Sequence, residues 1–404
     1  MAASASGDGI LSPLDVERVR RDTPGCADVV HLNNAGAALP LRVVVDAVID
    51  HLELEARVGG YAAADAVADR SAQVYVSLAR LIGAEPDEIA LVENATRAWD
   101  MVFYALASRF TEGDRVLTSR SEYASNVIAL LQVASRTGAR VEVIPDDDAG
   151  QLSVDALRDM LDEHVRLIAM SWIPTQGGLV NPAAEVGVVA RGAGVPYLLD
   201  ACQAIGQLPI DVADIGCDFL SATGRKYLRA PRGTGLLFVR QPWIERLEPP
   251  FLDVHAAHWV RDDAIEIRRD ARRFESWEHS VANRLGLGAA ADYALTLGAD
   301  AICERVRDLG DALRRRLRSL PGLVVRDLGR QQCGIVTFTL DREDPFTLAA
   351  RLRTEGINIS VSTIDFARFD LGGRGLDAVA RASVHYYNTE EELDRFVEAI
   401  ARGP

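Results

Sequence analysis

Lys226 is the only lysine in a chain whose other 43 Lys-or-Arg positions are all arginine. On an exposed surface the two cations are nearly interchangeable, so a compositional bias can remove every surface lysine. It cannot remove a lysine whose amine must attack a carbonyl and form an imine, because a guanidinium is not a primary-amine nucleophile. Lys226 closes the run Asp218-Phe-Leu-Ser-Ala-Thr-Gly-Arg-Lys226, where an apolar strand gives way to a turn. It precedes Ala230-Pro-Arg-Gly-Thr-Gly235, a stretch suited to close backbone approach. Two further constellations carry charge chemistry. Leu198-Leu199-Asp200 puts a carboxylate at the end of an apolar strand, where it needs a cationic partner or serves as a helix N-cap. Glu93-Asn-Ala-Thr-Arg97 lies at a strand-to-helix turn, where the free N–H groups of Ala95 and Thr96 and the Thr96 hydroxyl form an anion site.

An imine-forming amine, a buried carboxylate for a protonated ring nitrogen and a phosphate cradle are the parts that hold pyridoxal 5'-phosphate (PLP). That cofactor is the expectation from the residues alone.

Such groups need a scaffold that brings strand ends together. Short apolar runs alternate with amphipathic stretches from about residue 85 to 240. Strands are predicted at Ile89–Val92, Arg115–Thr118, Val141–Ile144, Val165–Met170, Pro196–Asp200, Phe219–Ala222 and Leu236–Val239. Helices are predicted at Arg97–Ala107, Ala124–Ser135, Val154–Asp162 and Ala183–Ala190. The alternation predicts an α/β fold with a mainly parallel sheet covered by helices, and ligands at the carboxyl ends of its strands. A long helix over Leu287–Leu320 is expected next. It is followed by a strand at Gly334–Thr339, a helix at Phe346–Thr354, a strand near Ile357–Ile359 and a last helix over Glu390–Ile400. The organisation read from this is a large domain over 41–284 and a smaller C-terminal α/β domain over 285–404, with 1–40 packing against the small domain.

Hydrophobic residues at 48% and charged residues at 25% describe an ordinary soluble globular chain. The net charge of −15 argues against nucleic-acid binding, and Arg314-Arg315-Arg316 reads as a solvated helix face. The five cysteines, at 26, 202, 217, 303 and 333, are scattered and form no CxxC pair. That fits a reducing, cytoplasmic setting without a metal site. No signal peptide, membrane span or internal repeat is read.

With these residues in place, the chain resembles the class V aminotransferases, PLP enzymes of fold type I. The likeness runs from His31-Leu-Asn-Asn-Ala-Gly36 to Arg381-Ala-Ser-Val-His-Tyr-Tyr-Asn-Thr389. Within that family Glu55-Ala-Arg-Val-Gly-Gly-Tyr61, Ser121-Glu-Tyr123 and Arg225-Lys-Tyr-Leu-Arg-Ala-Pro-Arg-Gly-Thr-Gly235 resemble hercynylcysteine sulfoxide lyases and isopenicillin epimerase-like enzymes. The PLP enzymes that process S-cysteine conjugates in lincosamide pathways are also similar. The resemblance implies that Lys226 carries the cofactor and moves the Cα proton, and that Asp200 keeps the ring nitrogen protonated. Gln203 and Thr175 would lie by the ring hydroxyl. Tyr123 would stack where relatives carry His. Ala95, Thr96, Thr223 and Arg225 would hold phosphate, and Arg381, with Asn34, Gly36 and Tyr61, would take the substrate. It also implies a homodimer with sites at the interface.

Three departures stand out against the family pattern. Thr175 replaces an Asn. Trp277-Glu278 replaces a Gly-Thr pair that reaches the partner's phosphate, and Glu278 would repel that phosphate. The segment Ser360-Val-Ser-Thr-Ile-Asp-Phe-Ala-Arg368 lacks the mobile loop cysteine of a desulfurase, and no cysteine follows Cys333. The expected reaction is therefore C–S β-elimination on an S-substituted L-cysteine, giving a thiol-type product, pyruvate and ammonia. Decarboxylation with oxidative deamination, transamination and epimerisation are the alternatives on this scaffold, and a non-catalytic binding role is the different class. Tyr61, Trp172, His255, Trp259 and Phe366 are the aromatic candidates for meeting the sulfur-linked group.

Overall fold

The structure, a computed structural model, describes residues 14–403. The part of the N-terminal expectation that falls on residues 1–13 lies outside these. Seven strands form the central sheet: β1 (Ile89–Val92), β2 (Arg115–Ser119), β3 (Arg140–Ile144), β4 (Val165–Ser171), β5 (Tyr197–Asp200), β6 (Phe219–Thr223) and β7 (Gly235–Val239), in the order β1-β7-β6-β5-β4-β2-β3. The chain is α/β with a mainly parallel sheet. Every residue of β5, β6 and β7 is buried, which is why these strands read as unbroken apolar runs rather than alternating ones. Only β7 runs against the others. The connection 224–234 is too short for the helical crossover of about a dozen residues that a parallel return needs. Lys226 sits in that connection.

Six helices matter for the site: α1 (Arg42–Val58), α2 (Ala68–Ile82), α3 (Ala95–Ala107), α4 (Ala124–Thr137), α5 (Val281–Leu297) and α6 (Ala299–Arg318). The stretch expected as one helix over 287–320 is thus two, divided at Gly298, whose φ of 85° a side chain would resist. Helix α5 packs on α1 and α2, so residue 285 falls inside a helix of the large layer. Arg314 on α6 is not on a solvated face. It is buried, bonding Asp327 at 2.8 Å and the carbonyls of Cys333 and Ile335 at 2.8 and 2.7 Å, while Arg315 stays exposed.

The small unit is an antiparallel sheet of β8 (Leu323–Val325), β9 (Ile335–Leu340), β10 (Ser360–Thr363) and β11 (Ala378–Ser383), in the order β8-β9-β11-β10. The stretch expected as a loop from Ser360 to Arg368 is instead β10 followed by a turn at Ile364–Phe366 that packs on α4. Strand β11, absent from the sequence reading, carries Arg381. The near-N-terminal strand Val30–His31 pairs in parallel with Ile357–Asn358, and Arg20 bonds Glu392 at 2.7 Å. No helix among the described residues is long and apolar enough to cross a membrane.

Candidate active site

The carboxyl ends of β4, β5 and β6, the N-terminus of α3 and the start of α4 surround a cavity of about 420 Å³. Its lining brings together Ala95, Thr96, Tyr123, Thr175, Asp200, Gln203, Thr223, Arg225 and Lys226. These nine come from several elements and meet because parallel strands end on one side of the sheet.

Lys226 is 8% exposed, and its Nζ lies 3.2 Å from Cys202 Sγ. Its turn closes with the Arg229 N–H donating to the Lys226 carbonyl at 3.0 Å. Arg229 holds φ at 65°, the one positive value outside glycine among the described residues. Left-handed backbone at an arginine is costly and persists only where the surroundings over-determine it. Here the buried guanidinium bonds Leu39 O at 2.9 Å, Tyr386 OH at 2.8 Å and Thr23 Oγ at 2.6 Å, and lies 4.7 Å from the Tyr387 ring centroid.

Asp200 ends β5 without starting a helix. Its carboxylate accepts from Cys202 N at 2.8 Å and Asn126 Nδ2 at 3.0 Å. Burial raises its pKa, against the pull of those donors and of Lys226. Among the described residues no arginine or lysine forms an ion pair with it, so a protonated ring nitrogen would supply the missing positive charge. On the opposite side, Asn94 caps α3 by accepting from Arg97 N at 2.9 Å, which leaves the first N–H groups of the helix free for an anion. A Cβ on Gly235 would stand 2.7 Å from Ala222 O and 2.9 Å from Asn94 C, so β7 can press against this cradle only as glycine. Thr223 currently donates to Thr234 O at 3.2 Å, and Arg225 bonds the Gly36 carbonyl.

Arg381 is not itself in the cavity lining but sits directly behind Thr175, which is, donating to its carbonyl at 2.9 Å and its hydroxyl at 2.6 Å, and to Asn33 Oδ1 at 3.4 Å. Its Nε is buried without a partner, no carboxylate pairs with it among the described residues, and burial pulls its pKa down to about 10. A buried cation in this condition is completed by an anionic ligand. Gln203 donates to Ala35 O at 3.1 Å and leaves Oε1 without a partner. The free helix-end N–H groups, the unpaired Asp200 and the unpartnered atoms of Gln203 and Arg381 fit PLP and an amino-acid carboxylate.

The other expected substrate contacts fare differently. Asn34 is fully buried and spent on structure. Its Nδ2 bonds the carbonyls of His31 and Ser383 at 3.2 and 2.7 Å, and its Oδ1 accepts from Tyr387 OH. Its neighbour Asn33 is the one that touches Arg381. Gly36 contributes its carbonyl to Arg225 and leaves its Cα face to Asn33, since a Cβ there would lie 2.5 Å from Asn33 Oδ1. Tyr61 stands 81% exposed on the helix Gly60–Ala66 and lines no part of the cavity. Trp172, His255, Trp259 and Phe366 also lie outside the lining.

Sequence reasoning missed Glu122, Asn126, Cys202 and Asn33. The acid of Ser121-Glu-Tyr123 gave a signal, since it follows the buried strand β2, and Cys202 lies two residues after Asp200. Nothing in the sequence separates Asn33 from Asn34.

The chain matches the family described as Aminotransferase class-V over residues 30–396. A probable cysteine desulfurase of Xylella fastidiosa is 32% identical over 81% of this chain and 78% of its own length. The apo cysteine desulfurase of Thermococcus onnurineus shares the fold with a TM-score of 0.90 at 24% identity, over 97% of this chain and 98% of its own. The cystine C–S lyase C-DES, solved with its product cysteine persulfide, does so with a TM-score of 0.85 at 23% identity, over 95% and 100%. By the family match and the relatives, the chain belongs to the class-V aminotransferases and is a PLP-dependent enzyme of fold type I.

Proposed function

We propose that the enzyme is a C–S lyase that acts by β-elimination on an S-substituted L-cysteine, consuming one water and releasing a thiol-type product, pyruvate and ammonia. When bound, PLP draws electrons from a bond at Cα into its ring. The chain's own residues decide which bond is presented. Arg381, with Thr175 and Asn33 around it, holds the carboxylate and so fixes the orientation of Cα. Lys226 Nζ takes the Cα proton. Asp200 would keep the ring nitrogen protonated, and Tyr123 would offer the ring an aromatic face.

The observation that carries this reading is the segment from Ser360 to Gly372. It holds no cysteine, and it is built as β10 and successive helical turns rather than as a free loop. A desulfurase of this family would need a sulfur acceptor there. Cys202 is the one cysteine in the cavity lining, but burial raises its thiol pKa and weakens it as a nucleophile. Sulfur then leaves still attached to its own substituent.

A homodimer accompanies this proposal. Val45, Ile49 and Leu52 form an exposed stripe at helical spacing on α1, and Trp259 and Ile265 stand exposed on the hairpin Ala257–Ile267. Exposed apolar residues of this kind suit self-association, and a closed two-fold dimer is the commonest oligomer; a fully active monomer in sedimentation would refute it.

Mass spectrometry of products from a panel of S-substituted cysteines tests the reaction. Elimination gives pyruvate, ammonia and a thiol-type product in equal amounts with no oxygen consumed. Carbon dioxide release with oxygen uptake would favour decarboxylation with oxidative deamination, and a cofactor cycled by keto acids would make the enzyme an aminotransferase.

A further inference from the structure

Behind Asp200 lies a second carboxylate that no step above uses. Glu122, in the turn between β2 and α4, is 2% exposed. Its Oε1 accepts from Tyr123 N at 2.8 Å, Asn126 Nδ2 at 2.8 Å and Ser171 Oγ at 2.6 Å. Its Oε2 accepts from Ser171 N at 2.8 Å and Thr118 Oγ at 3.3 Å. All five donors are neutral, and among the described residues no arginine, lysine or histidine pairs with it. Asn126 Nδ2 is the donor it shares with Asp200, at 3.0 Å from that carboxylate. Both acceptors are carboxylates, so the amide of Asn126 must turn its NH2 toward them, and each of its two hydrogens serves one acid.

We propose that Glu122 is a positioning residue for the cofactor: a second buried negative charge, tied to Asp200 through Asn126, that raises the proton affinity of the bound ring and its lysine linkage. Two buried carboxylates are costly to ionise together unless positive charge lies near them. A protonated ring nitrogen beside Asp200 would supply positive charge on that side, with the Lys226 nitrogen nearby. Without the cofactor, ionising both acids together is disfavoured. Burial, and then the charge of Asp200, push Glu122 up to about 7 despite its five donors. The other titratable groups facing the pair are Tyr123, Tyr197, Cys202 and Lys226. Burial pushes Tyr197 and Cys202 up, so both stay neutral, and the basic side chains on the cavity are Lys226 and Arg225, the latter turned to the Gly36 carbonyl. A ring nitrogen protonated beside Asp200 would offset the repulsion between the two acids and favour the ionised form of Glu122.

The test titrates the visible band of the loaded enzyme with pH. In Glu122→Gln the midpoint of that titration should move down by about one pH unit, and Glu122→Asp should restore most of the shift. A merely structural Glu122 would change thermal stability and leave the midpoint in place, and an unchanged midpoint in a folded Gln variant overturns the proposal. A second measurement needs no variant. Infrared difference spectra of the wild-type protein at about pH 6, with and without bound PLP, should show a buried carboxylic-acid band that disappears on loading. A band that persists in the loaded enzyme, or is absent from the cofactor-free one, also overturns it.

Discussion

At the cofactor's end of the cavity, Asp200 has both oxygens engaged and Glu122 accepts from five donors. On the substrate side, Arg381 keeps an unpartnered Nε and no carboxylate pairs with it among the described residues. Both bury charge in the same core, yet the two carboxylates have every oxygen bonded from within the chain while the guanidinium does not. The difference follows what each end must hold. A resident cofactor meets the same atoms at every turnover, so its contacts can be fixed in advance by packing. A substrate arrives and leaves, so the groups that bind it have to be left incomplete, at a cost in stability that ligand binding then offsets.

The sharpest way to break this comparison is at Lys226, where the two ends meet. Lys226→Arg keeps the charge but removes the nucleophilic amine, so turnover and the visible absorbance of the bound cofactor should vanish together. Normal activity in this variant would remove the basis of the whole assignment. Next in size is Arg381→Ala. Losing one partner of a buried, hydrogen-bonded charge pair costs about 2–5 kcal/mol, or roughly 30- to several-thousand-fold in kcat/KM. Because the same contact aligns Cα, kcat should fall along with affinity, while the cofactor's absorbance stays. A loss confined to KM would mean that Arg381 binds without orienting. The smallest effect is expected from replacing all five cysteines. Stability can drop, because Cys217 and Cys333 are buried in the core, but the product ratio should be unchanged. Trapping a persulfide on Cys202 in the wild-type enzyme would reverse the reading of the reaction.

The two ends also differed in how far the sequence revealed them. Lys226, Asp200 and the Ala95–Thr96 turn were readable because each sits at the end of an apolar strand or at the start of a helix, and such positions follow from local pattern. The seven strands of the central sheet were readable for the same reason. The substrate side was less so. Arg381 came from family likeness, since its strand β11 begins Ala378-Val-Ala, with no polar alternation to mark a sheet edge. Asn34 was chosen over Asn33 because a side chain's direction in a turn is set by long-range contacts, here Ser383 and Tyr387, which lie more than 300 residues away. Arg314 looked solvated because its partner Asp327 lies beyond the helix, in the connection between β8 and β9. Glu122 carried a composition signal, but only the folded chain shows that it shares Asn126 with Asp200.

Arg229 has a consequence for how the enzyme comes into being. The backbone beside Lys226 is held in a left-handed turn by contacts across 190, 157 and 206 residues of sequence. Contacts so distant along the chain form late, because the loops they close cost entropy before the contacts return any energy. The lysine turn thus reaches its final shape only after the N-terminal segment at Thr23 and Leu39 and the C-terminal Tyr386 have docked. A chain truncated before Tyr386 loses one of the three hydrogen bonds that hold Arg229, so its lysine turn should be less firmly set and its uptake of cofactor weaker.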